Sequence, residues 1–160
     1  STSMMNSFVD TGRDRTPVLL AYDGSAAAGN AIRRAGSQFA PGQEAVVVCV
    51  WRAVDVGFMP VGARRFRPAA ACEVRVVAEE TAAHGAELAR QVGFDARPRA
   101  VEASPAWRGL LHAAVDHGCD LIVIGTRRRG LLPGLSGRNA AATIANFDKS
   151  VLVVRDRRHG

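Results

Sequence analysis

Five short apolar runs, spaced along the chain with helix-like segments between them, constrain the fold more than any other feature. Residues 17–22 (PVLLAY), 45–51 (AVVVCVW), 121–124 (LIVI) and 151–154 (VLVV) are apolar almost without interruption. A strand with one wet face alternates apolar and polar residues, so a continuous run predicts a strand buried on both faces. Residues 97–103 alternate weakly and supply the fifth candidate. Strands of this kind separated by helices predict an α/β fold: a five-stranded parallel sheet, doubly wound, with helices on both faces.

The intervening segments carry helix signals. Ser25 can cap a helix over 26–39, which Pro41-Gly42 stops. Residues 70–92 place Val74, Val77, Thr81, Leu88 and Val92 on one helical stripe, and Gly93 ends it. Ser104-Pro105 predicts a helix start, with the serine as cap and the proline in the first turn, and Gly118 closes that helix after His117. A fourth helix is expected from Gly137 to about Asn146. Residues 53–68, with two prolines and three arginines, read as a loop, and a loop this long in a compact domain serves function or motion.

At 160 residues the chain predicts one domain. The expected layout is a flexible tail over 1–16, a domain over 17–155 and a basic tail over 156–160. The first sixteen residues lack the basic-then-apolar pattern of a secretion signal. Three cysteines without a CxxC pair fit a reducing compartment, and no apolar run is long enough to span a membrane. The expectation is a cytoplasmic protein with no membrane partner. Net charge is +6, and the excess sits in the second half, which has twelve basic and seven acidic groups against nine and eight in the first. Such a field attracts anions. Few aromatics and no zinc-finger or RNA-recognition pattern argue against nucleic acid. No HExxH or GxSxG occurs, and His84, His112 and His117 do not form a metal-binding spacing. Neither a metal site nor dedicated catalytic machinery is expected.

The stretch IGTRRRGLLPGLSGR, residues 124–138, leaves a buried strand, passes four glycines and four arginines and enters a helix. Together with VLLAYDGS at 18–25, SPAWRGLL at 104–111, DLIVIGTR at 120–127 and KSVLVVR at 149–155, it resembles the universal stress protein family over residues 17–155. The resemblance implies the adenine-nucleotide α-hydrolase-like (Rossmann-like) three-layer sandwich. It also implies a stress-response regulator, and a homodimer paired through Val151 to Val154. A parallel edge strand this apolar is unsuited to solvent, which supports pairing independently. An adenine-nucleotide site taking ATP or AMP is implied at Ala21, Asp23, Val50, Ile124, Gly125, Thr126, Arg128, Gly137, Arg138 and Asn139.

The phosphate loop departs from the family's G-x-x-G…G-[ST] pattern. Gly125 and Gly137 match the first and third glycines, but Arg128 stands at the second and Arg138 replaces the hydroxyl residue. The interval between Gly125 and Gly137 is one residue short of the family's. Glycine lets backbone approach a phosphate, whereas arginine must bind it through a guanidinium. Two readings stay open: a cradle remodelled around arginines, or a basic loop that has lost phosphate. The favoured one is a regulatory protein whose ATP binding is impaired, altered or absent. The alternatives are a working ATP or AMP sensor with an arginine-rich loop, an adenylyl-transfer or ATP-hydrolysing enzyme of the same fold, and an interaction module for an acidic protein partner. Each residue also has a plainer role: Asp-Gly-Ser is turn and cap chemistry, Ala21 and Val50 pack in a core, and an arginine run is a solvated face.

Overall fold

The computed structural model describes residues 16–52, 68–127 and 135–156. The anticipated loop up to Arg67, both tails beyond these limits, and Arg128 lie outside the described residues. The elements follow in strict alternation: β1 (Val18–Ala21), α1 (Ala26–Gly36), β2 (Glu44–Trp51), α2 (Pro68–Gln91), β3 (Asp95–Glu102), α3 (Ala106–His117), β4 (Leu121–Arg127), α4 (Leu135–Asn146) and β5 (Ser150–Asp156). All five strands pair in parallel, in the order β3-β2-β1-β4-β5.

The apolar runs are continuous because the sheet is covered twice. Val18, Leu20, Val47 and Val123 face a core completed by Ala28, Ala31, Ile32 and Ala35 of α1 and Ala86 and Ala89 of α2. Leu19, Val46, Val48, Ile122 and Ile124 face the opposite core, completed by Leu110, Ala113 and Ala114 of α3 and Ala140 of α4. Leu19, Leu20 and Ile122 are wholly buried. Each such side chain contributes about 1.5–3 kcal/mol, so the central strands anchor the fold.

Local expectations were met or corrected for identifiable reasons. Ser25 caps α1, its Oγ accepting from Ala28 N at 3.1 Å. That helix ends at Gly36, earlier than Pro41-Gly42 suggested. Ser37 N and Gln38 N turn back to carbonyls three residues behind, and a Cβ on Gly36 would collide with Val92. The stripe on α2 is corrected in part: Leu88 and Val92 pack against the core as expected. Val77 is 60% exposed, and the buried line is Ala78, Ala82, Gly85, Ala86 and Ala89. Small residues let this helix lie close to the sheet, where a Cβ on Gly85 would stand 2.6 Å from the Tyr22 ring. Ser104 does not cap α3. Pro105 holds the cap position without a side-chain bond, and Ser104 Oγ accepts from Arg52 Nη1 at 3.2 Å. Gly118 closes α3 in the left-handed conformation, as expected. α4 begins at Leu135, so Gly137 and Arg138 fall inside its first turn. Thr16 is tied to the domain: its Oγ1 donates to Asp120 at 3.1 Å and its carbonyl accepts from Gln43 at 2.9 Å.

Candidate functional site: a cleft at the strand carboxyl ends

Strand order reverses between β1 and β4, and at such a switch point the loops leave in opposite directions and open a crevice beyond the strands. A cleft of about 560 Å³, open to solvent, lies there. Its β1 side is Ala21, Tyr22, Asp23 and Ser25, and its β4 side is Ile124 and Gly125. Val48 and Val50 supply the β2 wall, Ala106 and Leu110 the α3 wall, and Asn139 projects from α4.

The sequence-derived candidates Ala21, Asp23, Val50, Ile124, Gly125 and Asn139 therefore meet in one place. Thr126 is buried at the end of β4 and does not line the cleft. Gly137 and Arg138 sit in the first turn of α4, where the leading N–H groups of a helix have no intrahelical acceptor. Tyr22, Ala28, Val48, Ala106 and Leu110 were not singled out from sequence, and Ser25 was read as a helix cap only. One of them carried a usable signal: Val48 lies two residues before Val50 on the same strand face.

The β1 side is built by local bonds. Asp23 Oδ1 accepts from Ser25 N at 2.9 Å, which fixes the turn, and Ser25 then caps α1. Gly24 has φ +88°, a conformation suited to glycine. Asp23 stays exposed, and its other oxygen makes no bond among the described residues. It still acts on its surroundings. Burial, and then the Asp23 charge, push the Cys49 thiol up to about 11, and the same two causes raise Tyr22.

The β4 side is built by long-range packing. A Cβ on Gly125 would run into the backbone carbonyl of Ala27 and come within 3.0 Å of Ala31 Cβ. Gly125 is thus required by the approach of α1 to β4, whether or not a phosphate binds. On the α3 wall, a Cβ on Gly109 would stand 2.9 Å from Val50 Cγ2, so this glycine brings α3 down onto the end of β2. Among the described residues no group of three His, Cys, Asp or Glu side chains is placed to hold a metal, and no helix is long and apolar enough to cross a membrane.

A parallel three-layer sheet with an apolar crevice at its switch point, and the Asp23 carboxylate at the crevice's β1 end, defines an α/β domain of the Rossmann-like class. The family is narrower than the class. The model of the universal stress protein family matches residues 15–155, and the chain belongs to that family. Solved structures agree at the level of the fold. The protein MJ0577 superposes with a TM-score of 0.70 at 19% identity, over 91% of this chain and 99% of its own. A Burkholderia pseudomallei member gives 0.63 at 21% identity, over 88% and 96%. The Archaeoglobus fulgidus universal stress protein in complex with dAMP gives 0.60 at 18% identity, over 87% and 97%. No curated protein matches the sequence significantly.

Proposed function

We propose that the protein is a regulatory adenine-nucleotide-binding member of its family, with the cleft as its site. One observation carries this reading. The switch-point crevice has apolar walls at Val48, Val50, Leu110 and Ile124, and the Asp23 carboxylate stands at its β1 end. A flat base needs such walls, and a carboxylate oxygen can accept a hydrogen bond from the adenosine. The relatives add support: structures of family members have been solved with dAMP, with cAMP and, from Arabidopsis thaliana, with AMP. The phosphates would run toward the first turn of α4, where free N–H groups and the helix dipole favour anions.

The phosphate end is the altered half. Arg128 replaces a glycine and Arg138 a hydroxyl residue, and Gly125 has a packing reason for being glycine. The reading therefore favours AMP over ATP and assigns no catalytic residue. Pairing of two copies through β5, with Val151 to Val154 at the interface, completes the proposed form. These side chains are half-buried in one copy, at the edge of the sheet. Calorimetric titration with ATP, ADP and AMP at two salt concentrations, with Arg128→Gly alongside, tests the site. AMP binding that Asp23→Ala weakens about tenfold, one charge-assisted hydrogen bond, is the expected result. Absence of binding by all three, in both proteins, would overturn it. Release of phosphate or pyrophosphate above a buffer blank would favour the enzyme alternative.

A further inference from the structure

Tyr22 is the only tyrosine in the chain. It stands between the end of β1 and Asp23, and it lines the cleft. Its backbone N–H donates to Val48 O at 2.9 Å, which continues the β1–β2 pairing into the turn. Its ring is 5% exposed and rests on Gly85, where α2 leaves no room for a Cβ. The hydroxyl does not end in the core. It lies 3.1 Å from Nδ1 of His84, with the two rings edge to face at 5.9 Å. His84 itself is exposed on α2. Thr81, one turn earlier, places its Cγ2 3.7 Å from the position of a Cβ on Gly24. The outer helix α2 thus packs against the end of β1 that leads into the Asp23 turn, and among the described residues the Tyr22–His84 bond clasps that contact, with one end in water.

We infer that His84 is a positioning residue for the cleft: through Tyr22 it holds the Asp23 turn, and its protonation tightens that hold. The chemistry follows from the donor inventory. A neutral imidazole with a bare Nδ1 accepts the Tyr22 O–H. An imidazolium has hydrogen on both nitrogens, so the tyrosine must turn its proton away and accept instead. The bond survives with its direction reversed and becomes charge-assisted, which is the stronger form. Charged and titratable groups stand around the pair. Asp23 in the turn, Arg33 of α1 and Cys49 of β2 act on Tyr22, while Glu80 and Glu87 lie one turn to either side of His84 on α2.

The inference is independent of the nucleotide reading in its first readout and rests on it in the second. Tyrosine near-ultraviolet absorbance reports Tyr22 alone, once the two tryptophans are subtracted by a Tyr22→Phe reference. Between pH 8 and pH 5.5 the natural protein should show a shift of the tyrosine band, and His84→Leu should show none. His84→Gln, whose amide accepts the O–H at any pH, should keep the position of the pH 8 band without the shift. The second readout uses adenosine, which stays uncharged over this range. Its affinity should rise roughly threefold at pH 5.5 in the natural protein, the size of a modest hydrogen-bond difference, and stay flat in His84→Gln and Tyr22→Phe. A tyrosine band that moves equally in the natural protein and in His84→Leu, or in neither, would overturn the inference. Absence of adenosine binding with an intact spectral response would sink the nucleotide site and leave the Tyr22–His84 coupling supported.

Discussion

β1 and β4 end side by side in the same cleft, and both end in chemistry that looks suited to a ligand, yet different forces hold them. The β1 end is local. Asp23 bonds Ser25 two residues away, Ser25 caps α1 three residues on, and Gly24 supplies the left-handed bend. The β4 end is non-local. Gly125 is set by the backbone of α1, which lies nearly a hundred residues earlier in the chain. A glycine that matches a phosphate-binding pattern can be present for packing alone, and its neighbours in space reveal which. A carboxylate in a tight turn, by contrast, can serve the turn with one oxygen and a ligand with the other.

That contrast can be broken at several points. The largest effect is expected for Gly125→Ala. Its Cβ meets a backbone carbonyl, which cannot rotate away as a side-chain end can, and overpacking of this kind costs about 3 kcal/mol. Urea denaturation measures it, and a variant as stable as the natural protein would return Gly125 to the phosphate reading. Gly24→Ala, at the local end, should cost less, about 1–2 kcal/mol, because it pays only for a left-handed backbone. Here a Cβ would meet no close neighbour, with Thr81 Cγ2 at 3.7 Å.

Alkaline pH should probe the buried side of the β1 end. Cys49 is raised from 9.0 to about 11, by burial first and by Asp23 second. Its neutral form is favoured in the folded state, so the stabilisation is complete below pH 9 and is lost as pH rises through 11. Between pH 9 and pH 10 this thiol alone should remove roughly 1 kcal/mol. Cys119, raised to about 11 at the start of β4 chiefly by burial, should add a similar loss. Thermal melts at the two pH values should therefore show a slope that Cys49→Ala reduces by about half. A slope unchanged by that substitution would mean that the thiol ionises equally in both states. The smallest effect is expected for Ser25→Ala, about 0.5–1 kcal/mol for one lost cap. Circular dichroism should show α1 fraying while the β4 end, held by other contacts, is unaffected.

The cleft's makeup shows how far the sequence could be read. Asp23, Val50, Ile124 and Asn139 were identifiable because the chain's motifs resemble those of the universal stress protein family, and the resemblance implies a site there. Tyr22 and Leu110 looked like ordinary core residues, since nothing in an apolar run marks which member reaches the mouth of a crevice. The α2 stripe was misjudged for a related reason. Valines score as the buried face by hydrophobicity, but a helix lying close over a sheet needs alanine and glycine there, and Val77 was left outside. Ser104 was expected to cap α3 and instead holds Arg52, a partner fifty-two residues away.

Sequence by itself determined the pieces governed by local energetics: the continuous apolar strands, their alternation with helices, the Asp23–Ser25 turn, and the glycine stop at Gly118. These depend on residues within a turn or two of one another, so spacing alone encodes them. Tertiary structure alone decided the order β3-β2-β1-β4-β5, the reason for Gly125, the alanine face of α2 and the reach of Tyr22 to His84. Each of these depends on which distant backbone or side chain occupies the adjoining space. A close-packed interior fixes that occupancy over the whole chain at once.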